Sequence, residues 1–242
     1  MKLLLLSDIH GNREAFLSVL QHIASHHHVD AALVLGDVID YGMHSNEIVR
    51  VLQKFPYRIV ANIWGNHENA IAKDAYDQFS SERGRRCARY TREHMDENAW
   101  EYVQNEMTKE GILSFDLGGK KCLAVHGSLQ DPFWGSIKIN LSDEAYRQYD
   151  FVFSGHSHIP HMFEVYYETE DIMRRNKKKT VFINPGSVGQ PRNHNNRAQY
   201  AIIDVETEQV LFEKVFYNIK KEQKDYNDAV DVFYRDRLEL GI

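Results

Sequence analysis

Leu3-Leu4-Leu5-Leu6-Ser7-Asp8-Ile9-His10-Gly11-Asn12 carries the pattern on which the reading of this chain turns: a short apolar run that stops at polar residues able to bind a cation. The pattern recurs. Residues 31–35 run into Gly36-Asp37, 57–63 into Gly65-Asn66-His67, 123–125 into His126-Gly127, 151–153 into Ser154-Gly155-His156, and 181–183 into Asn184-Pro185-Gly186. Short apolar runs bounded by turn residues predict buried β-strands. Between the early runs lie helical patterns. Residues 12–27 put Phe16, Val19, Leu20 and Ile23 on one face, with Asn12 placed as N-cap, and residues 44–54 do the same with Ile48, Val51 and Leu52. This alternation predicts βαβ units and a partly parallel sheet.

Residues 74–110 break the rhythm. Arg83, Arg85, Arg86, Arg89 and Arg92, with helical spacing at Tyr90, His94, Trp100 and Val103, predict a helical excursion from the sheet. Residues 168–179 read as a solvated loop and 199–217 as a hairpin turning at Glu206-Thr207-Glu208. Residues 222–240 read as a last amphipathic helix, with Val230, Phe233 and Tyr234 packing into the core. No repeat interrupts the chain, so one α/β domain over 1–242 is expected.

Of the 242 residues 43% are hydrophobic, and the net charge is −6. A mildly acidic surface gives no general affinity for nucleic acid or anionic membrane. The opening run of four leucines is shorter than the ~7–15 apolar residues of a secretory leader, and no stretch nears the ~18 of a membrane span. A cytoplasmic protein is expected, and Cys87 and Cys122 are too far apart to suggest a metal motif.

Asp8, His10, Asp37, Asn66, His67, His126, His156 and His158 all fall where strand runs end. In sheet folds ligands gather beyond the carboxyl ends of strands, so these residues can converge. Imidazoles and carboxylates without thiolates suit a hard-to-borderline divalent ion. Asp8 and His10, like His156 and His158, are one residue apart, so an extended backbone would aim each pair the same way. The set exceeds the needs of one ion and suits two that share a carboxylate.

Five blocks, Asp8-Ile9-His10, Gly36-Asp37-Val38-Ile39-Asp40, Gly65-Asn66-His67-Glu68, His126-Gly127-Ser128 and Gly155-His156-Ser157-His158, resemble in order and spacing the calcineurin-like metallophosphoesterase superfamily. Asn184-Pro185-Gly186-Ser187-Val188-Gly189, the following Pro191-Arg192, and Tyr90-Thr91-Arg92-Glu93 extend the resemblance to its small bacterial and archaeal branch. The resemblance implies two mixed β-sheets packed as a sandwich and flanked by helices. It implies one ion on Asp8, His10, Asp37 and His158 and a second on Asp37, Asn66, His126 and His156, with Asp37 bridging. His67 would face the leaving group as general acid. The implied cofactors are two divalent transition-metal ions, Mn²⁺ first, with Fe, Ni, Zn or Co tolerated by the same ligands. The implied reaction is in-line attack of a metal-bridging hydroxide on phosphodiesters or phosphomonoesters of small molecules or nucleotides.

Phosphoprotein phosphatases of the superfamily carry phosphate-gripping arginines beside two of these blocks. Here Tyr41 and Trp64 stand in those places, which argues against a protein substrate. Arg192, after a Gly- and Pro-rich loop, is a candidate phosphate contact. Asp40 is expected to support its loop rather than bind metal, His26-His27-His28 to end a helix, and His44, His161 and His194 to lie on the surface. A nuclease is opposed by the acidic balance. A non-catalytic scaffold, as in the retromer subunit of this fold, is opposed by an undegenerate ligand set that retains His67. Assembly into a homo-oligomer is left open.

Overall fold

The structure is a computed structural model that describes all residues except 139–142, 174 and 176. Its elements in chain order are β1 (Lys2–Leu6), α1 (Arg13–His26), β2 (Ala31–Val34), α2 (Ser45–Gln53), β3 (Arg58–Asn62), α3 (Asn66–Ala72), α4 (Glu82–His94), α5 (Glu97–Asn105), β4 (Ile112–Leu117), β5 (Lys120–Val125), β6 (Phe151–Ser154), β7 (His161–Tyr166), β8 (Lys179–Asn184), β9 (Ala198–Asp204), β10 (Val210–Val215), α6 (Ile219–Lys224) and α7 (Val232–Leu240). They build two mixed five-stranded sheets, ordered β10-β9-β1-β2-β3 and β4-β5-β6-β8-β7. β1, β2 and β3 are parallel, as are β5, β6 and β8, while the remaining pairs are antiparallel.

The continuous apolar runs follow from burial on both faces. In β1, Leu3 and Leu5 enter the core between the sheets with Ala124, Phe151, Phe153, Val181 and Ile183. Leu4 and Leu6 point the other way, into a core with Phe16, Val19 and Ile23 of α1 and Ile48 and Leu52 of α2. β6 repeats the division: Phe151 and Phe153 face the other sheet, and Val152 packs with Tyr146 and Tyr149 outside. The expected α/β sandwich with flanking helices is the observed architecture. Asn12 caps α1 through the amide of Ala15, and α4 and α5 form the expected excursion.

Two expectations are corrected and two strands are added. The helix read over 222–240 is two helices, each with its own side-chain cap, Asn218 for α6 and Asp231 for α7. Lys179 does not belong to a solvated loop. It opens β8 and sits between Glu164 at 2.6 Å and Glu208 at 2.7 Å. β4 and β7 were not read as strands; β7 is an edge strand in which half-buried and exposed residues alternate, so it has no apolar run. Among the described residues no helix is long and apolar enough to cross a membrane.

Candidate metal centre

The carboxyl ends of β1, β2, β3, β5 and β6 deliver Asp8, Asp37, Asn66, His126 and His156 to one place. The expected extended geometry of the paired ligands is not what brings them there. Asp8, His10, Asp37, His156 and His158 all have positive φ, between 48° and 63°. Left-handed backbone at non-glycine residues costs on the order of 1–3 kcal/mol each and persists only where surroundings hold it. Here amides lace the loops together: Asp8 to the Gly36 carbonyl at 3.1 Å, His10 to that of Asp37 at 2.9 Å, and Gly11 to that of Val38 at 3.1 Å. Gly65 allows the third loop its close approach, because a Cβ there would lie 2.0 Å from Asp37 Oδ1.

Two donor groups result. Asp8, His10, Asp37 and His158 form one, and Asp37, His126 and His156 the other, with ligand atoms within 4.8 Å of one another in each. Asn66 joins the second group, its Oδ1 lying 3.0 Å from His126 Nε2 and 2.9 Å from His156 Nδ1. The ring orientations suit cations. His158 Nδ1 faces the Gln190 carbonyl at 2.5 Å, His126 Nδ1 that of Leu35 at 2.7 Å, and His10 Nδ1 that of Ile39 at 3.3 Å. A carbonyl can only accept, so each Nδ1 carries hydrogen and each neutral ring turns its Nε2 lone pair inward. There it meets more acceptors: His158 Nε2 lies 3.1 Å from Asp8 Oδ1, His126 Nε2 3.3 Å from Asp37 Oδ2, and His10 Nε2 3.2 Å from His158 Nε2. Asp8 Oδ1 is buried with no hydrogen-bond partner. Such a cluster needs positive charge. With protons alone it titrates unevenly: burial opposes protonation of His126, yet Asp37 raises it to about 9, while burial and His126 pull His156 down to about 4.

His67 belongs to neither group. Its Nδ1 lies 2.6 Å from Asp40 Oδ2, and its Nε2 is 3.9 Å from Asp37 Oδ2. Burial works against its charged form, but the Asp37 charge and the Asp40 hydrogen bond win, and its pKa is raised. Thr91 donates to the other Asp40 oxygen at 2.6 Å, so the helical excursion reaches the site through this pair. Asp40 thus lies in neither donor group, as expected, and steadies His67. Glu68 is a residue the sequence reading gave no role. Its buried carboxylate accepts from the amides of Asp37, Val38, Ile39 and Gly65, at 2.7 to 3.2 Å, tying the ligand loops after β2 and β3.

A cavity of about 360 Å³ opens onto Asp37, Asn66, His67, His156 and His158. Arg192 lines it, with its Nε buried and unpartnered. Tyr41 lines it too, against the rings of His10 at 4.6 Å and His67 at 4.4 Å. Trp64 does not: it is buried in the core and donates to the Val103 carbonyl. Phe233 and Tyr234, expected only as core, form part of the wall, and Arg237 beside them was missed. A larger groove of about 690 Å³ along β3 holds neither donor group. His26, His27, His28, His44, His161 and His194 contribute to neither group; His44 is buried rather than on the surface, bound to Asp225 at 2.9 Å.

A family model described as the calcineurin-like phosphoesterase superfamily domain matches residues 1–208. The chain is 29% identical over 244 residues to an uncharacterized protein of Methanocaldococcus jannaschii, covering 98% of this chain and 96% of the relative. It is similar to the crystal structure of a metallophosphoesterase from Sphaerobacter thermophilus, with a TM-score of 0.74, 26% identity and all of both chains covered. A hypothetical protein from Pyrococcus horikoshii OT3 shares the fold, with a TM-score of 0.80 at 19% identity over 100% of this chain and 98% of that one. The family match takes in β1 to β9 and every residue of the two donor groups, and the chain belongs to the calcineurin-like phosphoesterase superfamily.

Proposed function

We propose that this protein is a two-metal phosphoesterase that hydrolyses phosphodiesters or phosphomonoesters of small molecules or nucleotides. The observation that carries the reading is the inward-facing set of acceptors, split into two groups that share Asp37 and leave Asp8 Oδ1 unpartnered. Asp8, His10, Asp37 and His158 would hold one ion, and Asp37, Asn66, His126 and His156 the other, with Mn²⁺ the first candidate. Two bound divalent ions would supply Lewis-acid charge for the phosphate oxygens and acidify a water to serve as nucleophile.

The protein's own residues do the rest. Asp40 takes the Nδ1 hydrogen of His67, which leaves Nε2 to carry a proton into the cavity. Against burial, the Asp37 charge and the Asp40 hydrogen bond raise the His67 pKa, which favours the protonated ring that would pass its proton to the departing oxygen. Arg192 offers its guanidinium to the phosphate. Tyr41 lines the cavity with a neutral ring where protein phosphatases of the superfamily place an arginine, which favours small phosphoesters over phosphoserine peptides.

The test is hydrolysis of bis-p-nitrophenyl phosphate by protein stripped with a chelator and titrated with Mn²⁺. Activity that returns only as two ions per chain bind is expected. Full activity at one ion, or a clear preference for phosphoserine peptides over every diester and nucleotide, overturns the reading.

A further inference from the structure

The far wall of the cavity carries more positive charge than one phosphate requires. Arg83 from α4, Arg192 and Arg237 from α7 all line it. Arg237 is only 7% exposed. Its Nε donates to the main-chain oxygen of Ile242. Burial and the nearby Arg192 cation pull its pKa down to about 10, so the fold holds two guanidiniums together against their repulsion. Arg192 lines the same cavity as His158 and Arg237. Phe233 lies against the other two arginines, with its ring centre 5.1 Å from the Arg237 guanidinium and 3.9 Å from that of Arg83. Ser80, Ser81 and Gly84, at the start of the 13-residue α4, complete this end of the cavity. A helix N-terminus adds its own attraction for anions.

Arg192 Nε is buried with no hydrogen-bond partner, and a buried donor left unpaired is costly unless a ligand takes it. Guanidiniums favour phosphate because their paired N–H groups match its oxygens. We propose that Arg237, with Arg192 and Arg83, forms a subsite for a second phosphate, so that the preferred substrates are phosphoesters carrying a diphosphate rather than a lone phosphate. The inference rests on the phosphoesterase reading, which puts the reacting phosphate at the metal centre. The second phosphate is an anchor and does not react.

The test is calorimetric titration of the Mn²⁺-loaded full chain with analogues of AMP and of ADP in which CH₂ replaces the ester oxygen and, in the ADP analogue, the bridging oxygen as well, so that binding is read without turnover. The ADP analogue is expected to bind at least ~10-fold more tightly than the AMP analogue. Arg237→Gln is expected to bring that ratio below about threefold, chiefly by weakening the ADP analogue. Arg83→Gln, at an exposed side chain, is expected to lower it too and carries the test if Arg237→Gln does not fold. Equal affinities in the parent overturn the proposal. So does a preference that survives in a folded arginine variant, since it then belongs to the metals. Hydrolysis of the nitrophenyl ester is measured separately, so an inactive protein that keeps the arginine-dependent preference refutes the phosphoesterase reading and leaves the subsite standing.

Discussion

Glu68→Gln tests how the ligand loops are held. The carboxylate takes two amides on each oxygen: Val38 at 2.8 Å and Ile39 at 3.2 Å on Oε1, Asp37 at 2.9 Å and Gly65 at 2.7 Å on Oε2. Glutamine preserves shape but turns one acceptor into an NH₂ that faces two N–H donors. Two hydrogen bonds to a charged group are lost, at about 1.5–3 kcal/mol each, or about 3–6 kcal/mol together. An opposing effect exists. Burial and the Asp37 charge push Glu68 from 4.5 up to about 7, which corresponds to about 3 kcal/mol of resistance to its ionised form. Part of that resistance is Asp37's repulsion, which bound cations would neutralise. The substitution should therefore destabilise Mn²⁺-saturated protein by about 3 kcal/mol or more and chelator-treated protein by clearly less. Urea unfolding under the two conditions measures both, with metal retention after dialysis as a second readout. A variant as stable as the parent in saturating Mn²⁺ would show that Glu68 is protonated there and that the four-donor argument is wrong.

Other perturbations separate the remaining roles. His67→Ala should leave metal content unchanged and lower kcat by roughly 10²–10⁴-fold for alkyl esters, but far less for nitrophenyl esters, whose leaving group hardly needs a proton; equal losses on both, or loss of metal, would remove His67 as the acid. Asp37→Ala should depress both ester types alike and reduce bound metal, as read by elemental analysis, because both donor groups lose a shared member; a variant that retains two ions contradicts the shared role. Glu222 is raised from 4.5 to about 7 by burial. Below pH 4.5 both folded and unfolded chains hold its proton; between there and about 7 only the folded chain does, so stability falls as pH rises through that window. Glu222→Gln keeps an oxygen for the Glu14 amide and should exceed the parent by about 1–3 kcal/mol at pH 8 while matching it near pH 4; thermal melts showing the same gain at both pH values would refute the linkage.

The strands nearest the centre were legible because both of their faces are buried. Leu3 to Leu6 read as a strand without any structure, since odd and even positions both enter a core. β7 was not legible because one face is solvent-exposed and the apolar signal is halved. The last helix was misread because capping by Asn218 and Asp231 outweighed a periodic pattern that runs through both pieces. The residues of the two donor groups were legible for a local reason. Each loop must set two groups within a few residues of a strand end, so the chemistry appears as compact blocks. Spacing alone misled on how the pairs aim, because hydrogen bonds between loops hold Asp8, His10, His156 and His158 in left-handed rather than extended backbone.

The cavity wall followed a different rule. Arg83, Phe233 and Arg237 come from parts of the chain with no shared motif and meet because α4 and α7 pack together beside the donor groups. Tyr41 and Tyr234, stacked with ring centres 4.4 Å apart, join the loop after β2 to α7. Tyr234 is therefore both core and wall, and its apolar environment made it look like core alone. The donor groups must keep their geometry for any substrate. The wall is set by helix packing, and it can change its charge and shape without moving a ligand. On the proposed reading Arg237 carries the consequence: its charge would bear on what the centre is offered, while Asp8, Asp37 and the histidines would bear on what the centre does to it.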